Sequence, residues 1–436
     1  MGTQMVTMAF NLTDMFWLGR VGSDAVAAAG AGGMYMWLSF GFILIGRMGA
    51  EIGVAQSLGG KDKKTALAFS QNAMFIAFVL GSLFALALVF FNRPLIGFFN
   101  FREKEIADAA ADYLFILGFS QLPVFLSFVA VGTYNASGNS RTPFLVNSLG
   151  LIINVILDPV FIIFLGMGVR GAAIATIISQ FVTSFAMLGT LFFSKNRPFE
   201  RYSLIFRPDM KRIIRLLKWS VPVGLESLFF CFLSMTTTRI EAVFGAGAVA
   251  VARVGSQIEA LSWLIGGGFG SAVIAFTGQN YGAGKRERIR QGVKVSLTTM
   301  AIWGSIVTLF FVTLGPVVFA LFLPAPELAT LGRMYLYILA FCQLPMNIEA
   351  VGSGAFKGIG RTIPPSIVSI STNAVRPIIA LLLSRTSLGI YGVWTAVSAT
   401  ALIRGIWVCL WFTLAERKVK NQPPQQKREG DEESLV

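Results

Sequence analysis

Long apolar segments separated by short polar ones fill most of the chain. Each segment has roughly the 20 residues that a helix needs to cross the hydrocarbon core of a bilayer, and their pattern lacks the strict alternation of a lipid-facing β-strand. We therefore predict an all-α membrane protein with twelve transmembrane helices. The predicted spans are residues 1–19, 31–58, 66–91, 108–136, 143–166, 169–194, 213–243, 250–278, 292–322, 329–356, 362–385 and 389–415.

Composition and charge agree with this class of protein. Hydrophobic residues make up 55% of the chain and charged residues 13%, whereas a soluble domain carries about a quarter charged residues. The net charge is +14, but the basic residues concentrate after every second span. Lys and Arg favour cytoplasmic loops, so this topology explains the charge without a nucleic-acid partner. It predicts a multi-pass protein of the plasma membrane with both termini in the cytoplasm.

The two halves of the chain repeat each other. Residues 113–123 match residues 335–345 at 8 of 11 positions, 222 residues later. Each half holds six spans, an even number, so both halves cross the membrane in the same direction, as in parallel repeats related by an axis along the membrane normal. We predict an N-lobe at residues 1–194, a basic cytoplasmic linker at 195–212, a C-lobe at 213–416 and a disordered cytoplasmic tail at 417–436.

Two carboxylates stand out inside the N-lobe spans. Asn154 and Asp158 are four residues apart and share one helix face, while Asp14 lies in the first span and Thr176 in the sixth. The predicted topology puts Asp14, Asp158 and Thr176 at a similar depth in the membrane, in the outer half of the lobe. The repeat aligns Asp14, Asn154 and Asp158 with Thr237, Arg376 and Ala380. Carboxylates inside a membrane are costly, so we predict a shared ion-binding site and not three separate interhelical hydrogen bonds.

The C-lobe has its own charged residues within spans. They are candidates for binding substrate or for a structural role, and the sequence leaves both roles open: Glu226, Glu259, Glu349, Arg239 and Arg376. Arg47 and Glu51, four apart in the second span, are interpreted as an ion pair on a helix surface. Arg404 has no evident partner.

Cysteine and histidine usage narrows the chemistry. Cys231, Cys342 and Cys409 all lie in apolar spans, and their spacing fits neither a zinc motif nor a disulfide framework. The chain has no histidine. Proton transfer would therefore use carboxylates, lysine or tyrosine.

Three motifs carry a family resemblance: residues 11–22 (NLTDMFWLGRVG), residues 278–285 (GQNYGAGK) and Asn154-x-x-x-Asp158-Pro159. Their order within a two-lobe repeat resembles the multidrug and toxic compound extrusion (MATE) family, specifically its DinF-like branch, over nearly all of residues 1–416. The resemblance implies a V-shaped bundle of twelve helices that exports organic cations by antiport with Na⁺ or H⁺. It also implies that Asp14, Asn154, Asp158 and Thr176 form the ion-coupling site, and that they ligate the metal if Na⁺ is the coupling ion.

The first span departs from the family pattern. Members of the family have about a dozen more residues, including a proline, ahead of the segment that begins at Met5. Here the first span contains Gln4, Asn11 and Asp14 and is marginal in length and polarity for a full crossing. We expect either that the true start lies upstream or that the chain is shortened.

Several functions compete on the sequence alone. We predict a secondary active transporter, not an enzyme, working by alternating access between two lobes. It would act as a monomer in the lipid bilayer on small organic cations, with no cofactor other than Na⁺ or H⁺ as coupling ion. A lipid-linked oligosaccharide flippase of the same superfamily is the runner-up, although the buried carboxylates favour cationic cargo. An intramembrane enzyme would need a second acidic cluster and a phosphate clamp, and a channel fits poorly with unequal lobes.

Overall fold

The computed structural model describes residue 13 and residues 16–18, 20–101, 103–203, 206–322 and 326–420. Fourteen α-helices and one π-helical segment, Val160–Phe164, account for most of them. The helices are α1 Ser23–Gly59, α2 Lys63–Phe90, α3 Asn92–Gly97, α4 Lys104–Gly118, α5 Gln121–Ala136, α6 Arg141–Pro159, α7 Gly168–Phe193, α8 Met210–Ala242, α9 Ala246–Gly282, α10 Arg286–Thr313, α11 Gly315–Phe322, α12 Pro326–Gly358, α13 Ile363–Ser384 and α14 Ile390–Lys420.

The helices confirm the all-α membrane architecture. Ten are long and apolar enough to cross a bilayer, and α4 and α5 together form an eleventh span that bends by 51°. These eleven correspond to the second to twelfth predicted spans. Most of the first span, with the question of its shortened start, lies outside the described residues.

Proline and glycine explain where the helices depart from straight spans. Pro159 has no N–H to donate, and the chain continues after it as a π-helical segment that closes with a hydrogen bond from Leu165 N to Val160 O of 2.9 Å. The predicted span at 292–322 is broken at Leu314, because Gly315 and Pro316 follow it and begin α11. The π-helical segment that follows Pro159, at the end of α6, lies beside the polar residues considered below.

The two lobes meet along α1, which packs against α8 and α9. Met48 and Ile52 from the N-lobe share a buried apolar cluster with Val223 and Ile274 from the C-lobe. The largest apolar cluster lies mainly in the N-lobe but includes Ile213 and Leu216 from the start of α8, while another cluster lies within the C-lobe. Apolar packing therefore extends across the seam between the lobes, along α1 and the start of α8.

The repeat extends to the turns that join α1 to α2 and α9 to α10. Each turn makes the same pattern of backbone hydrogen bonds, 223 residues apart. The left-handed position of the turn is Lys61 (φ 61°) in the N-lobe and Gly284 (φ 70°) in the C-lobe. Asp62 then caps α2 by accepting from Thr65 N at 2.9 Å, a bond that lowers the pKa of Asp62. Lys285, its counterpart, makes no side-chain cap.

The linker between the lobes lies against α2. The hydroxyl groups of Tyr202 and Ser70 form a hydrogen bond of 3.0 Å. Burial raises the pKa of Tyr202. Gln71 donates to a linker carbonyl at 2.7 Å, and Asp209 N donates to Asn72 Oδ1 at 2.8 Å. The described part of the linker is thus fastened to the N-lobe.

Candidate functional site

A row of residues on α6 faces α7 inside the N-lobe. Gly150, Asn154 and Asp158 are four residues apart and all buried, and a Cβ on Gly150 would lie 2.0 Å from Thr183 Oγ1 of α7. The two helices are antiparallel neighbours and approach closely there. Thr176 precedes Thr183 by about two turns, so it lies at the level of Asp158.

Asn154 and Asp158 form a hydrogen-bonded pair at the centre of this row. Asn154 Nδ2 donates to Asp158 Oδ1 at 2.9 Å, and both residues are 0% exposed. Thr176 is 4% exposed. Asn147, two turns earlier on α6, instead donates to Pro143 O at 2.8 Å. The structure therefore brings three of the four predicted N-lobe residues into one buried region.

Asp14, the fourth predicted residue, lies outside the described residues. Leu18, four positions later, is 1% exposed and packs in one cluster with Ile162, Val169 and Ala172. These three residues belong to the π-helical segment and to the start of α7. The segment that follows Asp14 thus lies beside the helices that carry Asp158 and Thr176.

The chemistry of this region suits a small cation. A carboxylate, an amide oxygen and a hydroxyl are hard oxygen ligands of the kind that alkali and alkaline-earth ions prefer. The same carboxylate can take up a proton instead. Either event neutralises a charge that is expensive to hold inside a membrane.

The equivalent position in the C-lobe holds the opposite charge. Arg376 aligns with Asn154 and donates from Nε to Thr400 Oγ1 at 2.9 Å, while Ala380 aligns with Asp158 and is fully buried. Arg376 interacts electrostatically with Glu259 and Arg404. The C-lobe thus places a guanidinium where the N-lobe places an amide, and a methyl group where the N-lobe places a carboxylate.

Two of the predicted C-lobe glutamates are satisfied by neighbours within the lobe. Glu259 accepts from Gln343 Nε2 at 3.1 Å. Glu349 pairs with Arg404, whose Nε lies 2.9 Å from Glu349 Oε2. The structure thereby identifies the partner of Arg404, which is not evident from the sequence. Together with Arg376 these side chains form a group of two acids and two bases inside the lobe.

Glu226 and Arg239 lie elsewhere on α8. Glu226 is 3.4 Å from Lys357 Nζ and accepts from Ser366 Oγ at 3.1 Å. It keeps 18% of its side chain exposed. Arg239 is exposed and lies outside both groups of contacts. The five predicted C-lobe residues therefore do not converge on one point.

The interpretation of Arg47 and Glu51 as a helix-surface pair is wrong. Arg47 Nε lies 3.7 Å from Glu51 Oε2, but the Glu51 side chain is 0% exposed. Ser271, from the opposite lobe, donates to Glu51 Oε1 at 2.5 Å, and Asn135 donates to Ser271 Oγ at 3.4 Å. Glu51 is a buried carboxylate at the seam because the second lobe covers it.

Sequence reasoning also missed Glu241. It is buried near the end of α8, and Trp394 Nε1 donates to its Oε1 at 3.2 Å. Arg253 interacts with it electrostatically. A signal was present, since Glu241 falls just inside the predicted span at 213–243.

Comparison with known proteins places this architecture in a family. The MatE family model matches residues 1–160 and 222–382. A probable multidrug resistance protein NorM from Thermotoga maritima is 28% identical over 427 residues, covering 94% of this chain and 89% of that protein. A FAD transporter from Shewanella oneidensis is 24% identical, covering 95% of this chain and 91% of its own.

Solved structures share the fold over nearly the whole length. An outward-facing multidrug resistance MATE transporter of the MOP superfamily has a TM-score of 0.90 at 23% identity, covering 97% of this chain and 95% of that one. A MOP superfamily transporter from Pyrococcus furiosus also scores 0.90, at 22% identity, with 97% and 94% covered. The family match occupies most of both lobes, and the chain therefore belongs to the MatE family of multi-pass membrane transporters.

Proposed function

We propose that this protein exports organic cations, including drugs, across the plasma membrane by antiport with Na⁺ or H⁺. The observation that carries the proposal is the Asn154–Asp158 pair, fully buried within a membrane span of the N-lobe. A membrane protein retains such a carboxylate at a considerable energetic cost. Reversible neutralisation by a transported ion is a function that justifies this cost.

The coupling step follows from the packing of α6 and α7. The sequence predicts that Asp14 shares a site with Asp158, and two neighbouring carboxylates cannot both remain ionised cheaply without a counter-charge. A Na⁺ bound by the carboxylates, Asn154 and Thr176, or a proton shared by the carboxylates, would relieve their repulsion. This would change the packing of the first span against α6 and α7, and thereby bias the alternation of the two lobes. We also propose that the chain belongs to the DinF-like branch, whose N-lobe coupling-site residues these four are similar to.

Cargo recognition is a separate part of the proposal. The Thermotoga maritima relative is described as a multidrug resistance protein and the Shewanella oneidensis relative as a FAD transporter, so relatives differ in what they carry. In this chain all three glutamates have partners within the C-lobe: Glu226 contacts Lys357 and Ser366, Glu259 contacts Gln343, and Glu349 contacts Arg404. Glu226 keeps 18% of its side chain exposed, and its charge partner is a lysine that a cationic cargo could replace. We therefore favour Glu226 as the cargo contact and a structural role for Glu259 and Glu349.

Replacing one side chain tests the coupling proposal. Asp158→Asn preserves shape and removes the charge, so we expect efflux of a fluorescent cation from proteoliposomes to fall at least tenfold under both Na⁺ and H⁺ gradients. Asp108→Asn is the matched control, because Asp108 is about half exposed and Arg93 lies 3.9 Å from it. Parental transport by a monodisperse Asp158→Asn protein would refute the proposal.

A further inference from the structure

Two glutamines cross the seam between the lobes in equivalent ways. Gln56 Nε2, at the end of α1, donates to Gly358 O of the C-lobe at 3.0 Å. Gln279 Nε2, at the end of α9, donates to Ala136 O of the N-lobe at 2.7 Å. Gln279 lies 223 residues after Gln56, and Gly358 lies 222 residues after Ala136. The same contact is therefore made twice, once from each lobe.

Two glycines let the backbones touch beside these bonds. A Cβ on Gly59 would lie 1.9 Å from Gln279 O, and a Cβ on Gly282 would lie 1.8 Å from Gln56 O. Real Cβ atoms do not approach an oxygen so closely, so each position needs a residue without a side chain. The crossing is again symmetric, since Gly282 lies 223 residues after Gly59. We name Gln56, Gly59, Gln279 and Gly282 the clasp.

The clasp lies at one end of the seam, next to the basic turns at 60–64 and 283–290. One turn further into the membrane, Ala55 is 0% exposed, and a Cβ on Gly278 would lie 2.8 Å from its Cβ. Deeper still, Ser271 joins Glu51 across the lobes. Close contact therefore runs without interruption from the basic surface to the level of Glu51.

We propose that the clasp is the inner gate of the transporter. It closes the cleft between the lobes on the side of the basic turns, and it must separate in each cycle to admit cargo from that side. This inference rests on the alternating access proposed above. It assigns a place in the cycle to four residues that bind neither the ion nor the cargo.

The chemistry of the clasp suits a contact that forms and breaks. Amide hydrogen bonds at the end of a helix can be exchanged for bonds to water when the lobes part. The glycines bring backbone against backbone, and the apolar cluster of Ile52 and Ile274, about one turn deeper than the two glutamines, must part with them, which exposes apolar surface. Because Gly59 packs on the backbone of Gln279 and Gly282 packs on the backbone of Gln56, we expect the two halves to open and close together.

The experiment opens the gate with one methyl group. Gly59→Ala forces its Cβ into Gln279 O, whereas Gly60→Ala is the matched control, with its Cβ 3.4 Å from Gly282 O, an ordinary contact. The reporter is Ala55→Cys in a chain whose Cys231, Cys342 and Cys409 are replaced by alanine. A membrane-impermeant maleimide then measures how often the seam opens.

We expect the reporter to be protected in the parent and in Gly60→Ala. In Gly59→Ala it should react at least tenfold faster, and cation efflux should fall by a similar factor. Unchanged protection, or faster labelling with parental efflux, in a monodisperse Gly59→Ala protein would overturn the proposal.

A second variant covers the case in which Gly59→Ala does not fold. The double replacement Gln56→Ala and Gln279→Ala removes both hydrogen bonds and introduces no clash, and it should increase labelling severalfold. Parental labelling of this variant would equally overturn the gate. Labelling requires neither a driving ion nor cargo, so a failed gate can be told apart from a failed coupling site.

Discussion

The two lobes share their backbone and differ in their buried charges. The turn after α1 and the turn after α9 have matching hydrogen bonds, and the clasp joins the lobes through equivalent atoms. At the position where the N-lobe buries Asn154 and Asp158, however, the C-lobe buries Arg376 and Ala380. Duplication of a fold thus does not duplicate its chemistry. One lobe buries a carboxylate beside an amide, and the other buries its carboxylates beside guanidinium groups.

The largest effect should come from charge removal in the N-lobe compared with the C-lobe. Asp14→Asn should lower transport of every cation alike, at least tenfold, because it removes charge from the proposed coupling site. Glu226→Gln or Glu259→Gln should change which cations are carried, or the amount of protein expressed, and leave the ion requirement intact. The measurement is efflux of several cations under separately imposed Na⁺ and H⁺ gradients. Loss of ion dependence in a glutamate variant, with normal Asp14→Asn, would move coupling to the C-lobe.

A smaller effect should come from breaking the ion pair between Glu349 and Arg404, which the C-lobe has and the matching positions of the N-lobe lack. Glu349 and Arg404 are 14% and 12% exposed, and the repeat aligns them with Ser127 and Val182. Arg404→Leu leaves a buried carboxylate without its partner, so we expect the free energy of unfolding to fall by about 3–5 kcal/mol. Thermal unfolding in detergent checks this.

Two comparisons sharpen that result. Arg170→Leu breaks an exposed pair with Asp112, which should cost about 0–1 kcal/mol. Adding Glu349→Gln to Arg404→Leu should restore part of the lost stability. Equal losses for Arg404→Leu and Arg170→Leu would show that burial does not govern the C-lobe pair.

The smallest effect should come from the matching turns. Gly284 has a φ of 70°, and Lys61 holds the same position at 61°. Left-handed backbone costs a residue with a Cβ about 1 kcal/mol or more. Gly284→Ala should therefore lower the unfolding temperature slightly, and Lys61→Gly should raise it. Opposite signs would mean that the two turns, despite their matching bonds, are not under the same constraint.

Much of the fold could be predicted because it depends on local sequence patterns, namely the length of apolar segments and the spacing of polar residues within them. The apolar segments predicted all eleven of the spans that the structure describes. The four-residue spacing of Asn154 and Asp158 predicted that the two side chains share one helix face, where they are hydrogen-bonded. Thr176 joined them because short connections make successive spans antiparallel. Local signals of this kind require only the neighbouring sequence.

The remainder depends on contacts between distant residues. Glu51 is buried because Ser271, 220 residues away, covers it, and the partner of Arg404 lies 55 residues earlier in the chain. The bend between α4 and α5 and the short helices α3 and α11 left no periodic pattern long enough to predict. Such features are set by packing, which a single sequence does not report.

The fastening of the linker to α2 has a mechanical consequence. Tyr202 and Asp209 tie the connecting segment to the N-lobe, and Asp209 also caps α8 by accepting from Lys211 N at 3.0 Å. The described part of the linker is therefore not slack, and the start of α8 is held close to α2. The alternating access proposed above would have to carry the linker and the first turn of α8 along with the N-lobe, or else break these bonds.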